Sequence, residues 1–354
     1  MHVSIDKLTA FCTASLEAVG MAAGDAGTTA EALVSADAMG VFTHGVKLLA
    51  GYLRRLQGGG YCTTATPVME REGPAWAVVD GQSALGQIGG DFAVRIAMQK
   101  AARVGIAYVG LRNTGHIGAA GYYAALAARE GFIAMVTGND RPSVAAPGSR
   151  GAVLGSNPLA YAIPVTGGDP ILLDIATAAV AGGKVYAAHT RGEPIPNTWL
   201  IGPDGRPTND GSLYPAQASL APMAGHKGYG LGLWCEILSA VLPGGNVTTQ
   251  VGSWIFDDPA QPSRHNASFT VIDVNTISPR EEFDRRLAAL VDEIHAAPTA
   301  DGVDRVLLPG ERESIQLRRA RAEGIALPAD VVEKLTEAAE LTGVWPQWLT
   351  NNDG

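Results

Sequence analysis

The sequence predicts a mixed α/β protein with helical ends and a strand-rich middle. In the first 57 residues, apolar side chains such as Ile5, Leu8 and Cys12 recur at helical spacing. Short runs rich in Ile, Val and Tyr follow between residues 76 and 175, and one more lies at 269–274. Helical spacing returns after residue 277. Because the strand runs come at uneven intervals, a regular strand–helix alternation with a parallel doubly wound sheet is not required.

Three helices are predicted in the N-terminal part. The first covers residues 5–19, and residues 46–56 carry Val and Leu on one face of the third. Between them, Thr28-Thr29-Ala30-Glu31 fits a capping box and predicts the start of the second helix. The turn Thr43-His44-Gly45 therefore falls at the junction of the last two helices.

The remaining elements are predicted from short apolar runs and helical spacing. Strands are expected at 76–80, 106–111, 132–137, 159–164, 171–175 and 269–274. Helices are expected at 91–103, 119–129, 229–242, 279–294 and 329–341. A further turn or helix start is expected at Pro309-Gly310-Glu311. No internal repeat with a period of 20 to 50 residues is visible.

Composition limits the class of protein. The chain has 354 residues, of which 46% are hydrophobic and 17% charged, so it can bury a large core and is not intrinsically disordered. Roughly two domains are expected at this length, with one elaborate domain as the alternative. The formal net charge is −9 and no basic block occurs, which disfavours nucleic acid as a partner.

Targeting and metal signals are absent from the sequence pattern. The start has neither a basic nor an apolar segment of a signal peptide, and no apolar run reaches the ~18 residues of a membrane span. The three cysteines, Cys12, Cys62 and Cys235, are widely spaced and form neither a disulfide framework nor a zinc pattern. These observations predict a cytoplasmic protein without a metal site.

The common cofactor and hydrolase motifs are also missing. The chain contains no G-x-G-x-x-G, no G-x-x-x-x-G-K-[ST], no G-x-S-x-G and no H-E-x-x-H. Gly182-Gly183-Lys184 comes closest to a P-loop, but it is followed by Val185, where Ser or Thr is needed. A classical Rossmann dehydrogenase, a P-loop NTPase, an α/β-hydrolase and a zincin are therefore disfavoured.

Two histidines in glycine-containing turns are candidates for proton transfer. His116 lies in Asn113–Gly121, after a predicted strand and before a predicted helix, where small residues allow close approach of a ligand. It is equally compatible with a tight connection carrying an incidental histidine. His44, in the Thr43-His44-Gly45 turn, can serve the same chemistry. That triplet alone fits a capping Thr and a surface His better.

Three further segments carry polar residues at the ends of predicted elements. Gly155-Ser156-Asn157-Pro158 precedes a strand, and Asp174 ends one, where it can contact a ligand or cap the next helix. Lys227 lies between glycines at a predicted helix start, where it can reach a phosphate or a carboxylate. A solvated loop lysine is the alternative.

Taken in this order, these segments resemble the malate/L-lactate dehydrogenase family, whose cofactor fold is not of the Rossmann type. Its members include ureidoglycolate dehydrogenase, sulfolactate dehydrogenase, diketogulonate reductase and piperideine/pyrroline-2-carboxylate reductase. The resemblance runs from the Thr-His-Gly turn to Leu308–Glu313 and so covers nearly the whole chain.

The resemblance implies NAD(P)-dependent hydride transfer between a 2-hydroxy acid and a 2-oxo acid, or reduction of a cyclic imine acid. It also implies NAD or NADP as cofactor, a small-molecule substrate and a homodimer. The implied fold has a predominantly antiparallel cofactor sheet, flanked by a helical domain built from both chain ends. The corresponding division is a helix-rich part at 1–118, the NAD(P)-binding sheet domain at 119–281, and C-terminal helices at 282–354 that pack back on the N-terminal part.

Site residues are carried over from the family position by position. His44 and His116 match its active-site histidines, and one would be the acid/base while the other orients the substrate. The implied cofactor contacts are Asn139, Asp140, Asp174, Ile175, Ala176, Lys227, Pro309, Gly310 and Glu311. The implied substrate-binding residues are Thr43, Lys47 and Leu48.

Two positions depart from the family pattern. Leu48 stands where the family usually has an Arg that grips the substrate carboxylate. Asn139-Asp140 stands where the family usually has Asn-Ser. These changes favour a substrate that is less anionic or carries an amine or imine. They also leave open a relative that binds a ligand without turnover, or, on composition alone, an unrelated interaction protein.

Overall fold

The computed structural model describes residues 1–350. The helices are α1 (Ile5–Ala18), α2 (Ala23–Ala38), α3 (Leu49–Gly58), α4 (Gly86–Val104), α5 (Ala120–Arg129), α6 (Gly182–Thr190), α7 (His226–Glu236), α8 (Val274–Ile277), α9 (Arg280–His295), α10 (Glu311–Glu323), α11 (Ala329–Thr342) and α12 (Gln347–Thr350). The strands are β1 (His2–Val3), β2 (Val68–Gly73), β3 (Trp76–Asp80), β4 (Ile106–Thr114), β5 (Phe132–Gly138), β6 (Val144–Ala145), β7 (Ala152–Leu154), β8 (Leu159–Ile163), β9 (Ile171–Ile175), β10 (Leu200–Ile201), β11 (Pro207–Thr208), β12 (Ser219–Leu220), β13 (His265–Asp273) and β14 (Ile325–Ala326). Two 3₁₀ turns, Phe42–His44 and Val46–Leu48, lie between α2 and α3, and a π-helical segment, Ile237–Val241, continues α7.

The two ends of the chain share one helical core. Strand β1 pairs antiparallel with β14, with His2 opposite Ala326. Leucines of α1 to α3 and of α11, including Leu8, Leu53 and Leu335, are fully buried in the same cluster. Burying leucines from distant segments against each other removes apolar surface from water and fixes the two ends together. The expected helical part built from both chain ends is therefore confirmed.

The central sheet has seven strands in the order β2-β3-β4-β13-β5-β8-β9. Only β3 and β4 pair in parallel, so the sheet is predominantly antiparallel, as expected. Helices α4 and α5 pack on it through alanines such as Ala97 and Ala124, which are fully buried and let the helix backbones approach closely. This packing places the β4–α5 connection, which carries His116, at the edge of the helical layer.

Several predicted boundaries differ from the structure. The α2 helix begins five residues before Thr28, whose hydroxyl donates to Gly24 O within the helix, so the capping box is wrong. Strand β13 starts at His265. The prediction placed its start at 269 because the first residues of the strand are mostly polar, although they are buried. Helix α6 is not predicted. The five-stranded sheet β11-β10-β12-β6-β7 is not predicted either, since strands of two or three residues are too short to show a periodic pattern.

The division at 118 and 281 stays a prediction. Strands β2 to β4 precede residue 118, yet they belong to the same sheet as β5, β8, β9 and β13. Within residues 1–350, the buried side chains form three clusters: the helical core, the core of the large sheet, and a smaller one between Val144 and Leu220. The pairing of the strands therefore favours assigning β2, β3 and β4 to the sheet domain.

An apolar surface is exposed along α7 and its π-helical continuation. This surface, called the α7 face below, consists of Leu233, Trp234, Ile237, Val241 and Leu242. Trp234 is 50% exposed and Val241 57%, although both side chains are large and apolar. Within residues 1–350, no helix is long and apolar enough to cross a membrane. Contiguous exposed apolar side chains of this kind mark interaction surfaces.

Candidate active site

His116 lies between β4 and α5, and it is held by two contacts to its ring and one to its backbone. Its Nδ1 is 2.8 Å from the Tyr52 hydroxyl, and its backbone N–H donates to the Tyr61 hydroxyl at 3.2 Å. The indole of Trp254 stacks on the imidazole, with ring centroids 4.9 Å apart and planes 14° from parallel. Among the described residues, Nε2 is the ring nitrogen left without a hydrogen-bond partner, so it is the atom available to a ligand.

His44 comes from the opposite layer and meets His116. It ends the 3₁₀ turn Phe42–His44, and its ring centroid lies 6.0 Å from that of His116. The Thr43 hydroxyl is 3.1 Å from its Nδ1. The structure thus brings together the two histidines that the sequence separates by more than 70 positions.

A buried carboxyl behind this turn explains its backbone path. Asp37 is only 2% exposed, and its Oδ2 accepts a hydrogen bond from the Val46 N–H at 2.9 Å. A Cβ at position 45 would lie 1.7 Å from Asp37 Oδ1, so only glycine fits there. The glycine of the Thr-His-Gly turn is therefore required by the approach of Asp37, one residue away from His44.

Two carboxylates, Asp140 and Asp174, border the histidines. The Oδ1 of Asp140 is 3.1 Å from His265 Nε2 and also accepts from the Arg141 N–H at 2.7 Å. The Oδ2 of Asp174 accepts from the Gly121 N–H in the first turn of α5 at 2.7 Å. A carboxylate at a helix N-terminus is stabilised by the free N–H groups there. His265 is 2% exposed and was not predicted as a site residue.

The electrostatics favour neutral histidines. Burial lowers the pKa of His44, although Asp174 and Asp140 act in the opposite direction. Burial, together with neighbouring His265 and His44, lowers the pKa of His116 to about 3. At neutral pH His116 is thus uncharged.

The two carboxyl groups are shifted in opposite directions. Burial acts to raise the pKa of Asp140, but the hydrogen bond and charge of His265 outweigh it and hold that pKa below its ordinary value. Burial raises the pKa of Asp174, against the Gly121 N–H and the charge of His44. Asp140 is therefore the more firmly ionised of the two carboxylates at the site.

The predicted cofactor segments converge at the β9 edge of the sheet. The N–H of Leu172 in β9 donates to Pro309 O at 3.1 Å. Gly310 has a φ of +87°, and a Cβ there would lie 2.8 Å from Leu172 O, so this close approach needs glycine. Asp174, Ile175 and Ala176 end the same strand. The Pro309–Glu311 segment thus lies beside the strand that carries the other predicted contacts.

Lys227 is fixed to the same edge through the chain before it. The Met223 N–H donates to Thr177 O, just beyond β9, at 2.9 Å. Lys227 is the second residue of α7, is exposed and makes no ion pair with any residue in 1–350. A free cation at the first turn of an 11-residue helix, beside the end of a strand, suits a phosphate group. These residues fit a dinucleotide.

Two of the predicted contacts use their side chains inside the protein. Glu311 accepts hydrogen bonds from the Leu308 N–H at 2.8 Å and from Arg305 at 2.7 Å. Asn139 is 4% exposed; its amide N–H groups go to Glu236 and Asn246, and its Oδ1 accepts from Asn266. Both residues support the shape of the site, and a cofactor contact by either stays a prediction.

The family Arg has no direct replacement at position 48 or 47. Leu48 is half-buried and packs against the helical core. The Lys47 ammonium is committed to Asp330 at 2.5 Å. Arg141 and Arg264, which flank the Asp140–His265 pair in the chain, line a neighbouring cleft of about 530 Å³. These two arginines are the nearest cations along the chain to that pair.

Arg55 supports the site from within the helical layer. Although it is only 2% exposed, it has no carboxylate partner; instead it donates to five backbone carbonyls of loop 253–261. That loop carries Trp254 onto His116. Tyr52 and Arg55 lie on the buried face of α3, and polar side chains on this otherwise apolar face are the sequence signal that could have pointed to them.

Comparisons with known proteins agree with this geometry. The family described as malate/L-lactate dehydrogenase matches residues 3–336. The chain belongs to the malate/L-lactate dehydrogenase family. The family, the fold and an oxidoreductase that acts on CH–OH groups, all expected from the sequence, are confirmed.

Individual relatives cover almost the whole chain. Malate dehydrogenase of Pyrococcus abyssi is 36% identical over 97% of this chain and 96% of its own. Ureidoglycolate dehydrogenase (NAD(+)) of Escherichia coli is 34% identical over 96% of each. Among solved structures, sulfolactate dehydrogenase from Methanocaldococcus jannaschii has a TM-score of 0.89 at 32% identity and covers 97% of this chain and 98% of its own. Delta1-piperideine-2-carboxylate reductase from Pseudomonas syringae has a TM-score of 0.85 at 30% identity over 96% and 100%.

Proposed function

We propose that this protein is a nicotinamide-dependent dehydrogenase that interconverts a small 2-hydroxy acid and the corresponding 2-oxo acid, with NAD or NADP as hydride carrier. The observation that supports this most is the pair of histidines from opposite layers, with ring centroids 6.0 Å apart beside the β9 edge. A relative that binds a ligand without turnover would have no need of two such neutral, closely placed histidines.

His116 is the proposed acid/base. In the oxidation direction, the proton of the substrate hydroxyl passes to Nε2 of His116, while the hydride leaves the carbon atom that carries this hydroxyl. His44 lies beside it and donates a hydrogen bond that orients the substrate oxygen. The ring of His116 is fixed by Tyr52 and Trp254, as proton transfer in one geometry requires.

The cofactor would be held at the β9 edge. Asp174, Ile175 and Ala176, Lys227 and the Pro309–Glu311 segment are the proposed contacts, with Lys227 at the phosphates. When bound, nicotinamide supplies the acceptor or donor for the hydride. The remaining chemistry, which is substrate orientation and proton transfer, belongs to the side chains of this chain.

A thermal shift with each cofactor tests the dinucleotide site. We expect NADH or NADPH to raise the unfolding temperature of the protein, and Lys227→Met to reduce that rise without changing the unliganded temperature. Lys334→Met is the matched control, because Lys334 is already paired with Glu337 on α11. No shift with either nucleotide at millimolar concentration would contradict the proposal. A shift without turnover on any substrate would favour the ligand-binding relative.

A second candidate is reduction of a cyclic imine acid. Asp140 brings a carboxylate to a site that lacks the family Arg, and a carboxylate can accept a hydrogen bond from a protonated imine nitrogen. One relative of known structure is named as a piperideine-2-carboxylate reductase. Steady-state rates with pyruvate, oxaloacetate and cyclic imine acids separate the two candidates. A strong preference for oxaloacetate would rule out the imine acid.

Leu48→Arg tests the role of the missing cation. We expect the new guanidinium to bind the carboxylate of simple 2-oxo acids in a bidentate pair and to raise kcat/KM about tenfold. Leu48→Met is the control for packing, since Leu48 contacts the helical core. If Leu48→Arg leaves kcat/KM for pyruvate and oxaloacetate unchanged, the carboxylate is bound elsewhere, and Arg141 and Arg264 become the next positions to substitute.

We further propose that the protein is a homodimer and that a second copy covers the α7 face. The face is apolar and exposed on a single chain, and the interfaces of obligate homodimers are about as apolar as the core of a domain. Trp234→Glu at its centre should lower the molecular mass measured by sedimentation from that of a dimer to that of a monomer. A monomeric wild-type protein would refute this proposal.

A further inference from the structure

Behind His116 lies a buried chain of two polar side chains. The Tyr52 hydroxyl is 2.8 Å from His116 Nδ1, and Gln87 Nε2 is 3.3 Å from the same hydroxyl oxygen. Tyr52 is 0% exposed and Gln87 1%. The other end of the carboxamide, Gln87 Oε1, is buried without any hydrogen-bond partner among the described residues. A buried acceptor without a donor is costly, so this arrangement needs an explanation.

The direction of this chain determines the tautomer of His116. Because Gln87 donates its N–H to the Tyr52 oxygen, the single hydroxyl proton of Tyr52 is directed to His116 Nδ1. A neutral His116 then carries its own proton on Nε2. In this form Nε2 can donate a hydrogen bond to a substrate oxygen, but it cannot accept the proton of a substrate hydroxyl.

Rotation of the Gln87 carboxamide by half a turn reverses the chain. Oε1 then accepts from the Tyr52 O–H, and the Tyr52 oxygen accepts from Nδ1–H of His116. Nε2 now presents a lone pair and can act as a base. The same rotation provides Oε1 with the donor that it lacks and moves the N–H groups to the position where Oε1 had no partner, without backbone movement.

We propose that Gln87 is a positioning residue that acts through Tyr52 and determines which nitrogen of His116 carries the proton. The inference rests on His116 as the acid/base of the proposed function. During oxidation, the substrate proton arrives at Nε2 and gives an imidazolium with N–H on both nitrogens. Tyr52 and Gln87 neither gain nor lose a proton. Burial raises the pKa of Tyr52 far above its ordinary value, so it remains a hydroxyl.

The other charges that face His116 are the same in either direction of the chain. They come from His44, His265 and Asp140. The histidines act to lower its pKa, and Asp140 acts to raise it. Substitutions at Gln87 leave these groups in place, so the difference between two Gln87 variants isolates the effect of the chain.

Two substitutions at Gln87 should shift the tautomer equilibrium of neutral His116 in opposite directions. In Gln87→Glu, an ionised carboxylate can only accept, so the Tyr52 proton is directed away from His116, and we expect Nδ1 to carry the imidazole proton. In Gln87→Met, no acceptor is left for Tyr52, so its hydroxyl donates to Nδ1, and we expect Nε2 to carry the imidazole proton. The measurement is the pair of ¹⁵N chemical shifts of the imidazole at pH 8, well above the ordinary pKa of a carboxyl group, with His116 assigned by the loss of its signals in His116→Gln.

Tyr52→Phe is the control, because it removes the link between Gln87 and His116. Either shift should shrink to a small fraction in the Tyr52→Phe background. A shift that persists undiminished there is a direct charge effect and would overturn the inference, as would shifts of the same sign in both variants. If Gln87→Glu does not fold, the effect of Gln87→Met on His116 is compared between the wild-type and Tyr52→Phe backgrounds, and an undiminished effect in Tyr52→Phe overturns the inference.

The nitrogen signals also separate this inference from the proposed function. They report the tautomer without any substrate or cofactor. If they respond as described while the protein oxidises none of the substrates above, the proposed function fails and the role of Gln87 stands. If they do not respond while turnover is robust, the role of Gln87 fails alone.

Discussion

The two histidines of the site are fixed in opposite ways. His116 is held by its ring, through Tyr52 at Nδ1 and Trp254 against its face. At His44 the fixed part is the backbone, anchored by buried Asp37, while among the described residues the ring is within hydrogen-bond distance of the Thr43 hydroxyl alone. A ring held by a hydrogen bond and a stacked indole suits proton transfer in one geometry, and a ring with fewer contacts suits a donor that follows the substrate. The difference in surroundings thus assigns different tasks to chemically identical side chains.

Exchange of each histidine for glutamine is the strongest test of this comparison. We expect His116→Gln to lower kcat by about 10²–10⁴, because an amide cannot take up the substrate proton. His44→Gln should lower kcat by less, since the amide N–H still donates a hydrogen bond. Steady-state kinetics on the preferred substrate provide the measurement. Equal losses, or a greater loss for His44→Gln, would reverse the proposed roles.

Gly45→Ala tests the backbone anchor of His44. The added Cβ would overlap Asp37 Oδ1, so the turn must move, and we expect a loss of about 1–3 kcal/mol in the free energy of unfolding. Gly24→Ala is the control: its Cβ meets nothing within 4 Å in α2, and replacing a helical glycine should stabilise by about 0.5–1 kcal/mol. Denaturant unfolding of both variants gives the comparison. Equal stability of Gly45→Ala and wild type would show that Asp37 does not constrain the turn.

Asp37→Asn tests the same anchor through pH. Burial raises the pKa of Asp37 to about 8 from an ordinary 3.8, although the Val46 N–H acts against it. Between these values the folded protein keeps a proton that the unfolded chain releases, so stability falls as the pH rises, by about 1 kcal/mol per pH unit. Asn cannot ionise, and its unfolding free energy should lack this decline.

The window for that measurement follows from His116. Its pKa is lowered from 6.5 to about 3, so it costs stability only as the pH falls below 6.5. Between pH 6.5 and 8, the difference in unfolding free energy between wild type and Asp37→Asn therefore reports the carboxyl, because the other titrating groups are common to both. Parallel declines of wild type and Asp37→Asn in this window would contradict a raised pKa for Asp37.

The sequence predicts the elements better than it predicts the contacts between them. Helical spacing identifies α1, α5 and α11 to within a residue or two at their starts, and the apolar runs locate β4, β5, β8 and β9. The antiparallel order of the sheet came from the family resemblance, because pairing is a property of distant segments. The two-residue strands carry no pattern to read.

The same limit applies to the site. His44 and His116 stand out because each lies in a turn with glycine. Their partners do not: Tyr52 is 64 positions from His116, and Arg55 is 199 from Trp254, distances at which no local pattern applies. His265 was missed because β13 begins with polar residues. The sequence does not indicate which distant residues surround each histidine and thereby set its pKa.

Arg55 has a consequence for how pH can act on this enzyme. The five acceptors that it binds are backbone carbonyls, which do not titrate. The same loop also uses a carboxylate, because Asp257 Oδ2 accepts from the Ser253 N–H at 2.8 Å. A loosening of the Trp254 wall by acid would therefore begin at Asp257 and not at the carbonyls around Arg55.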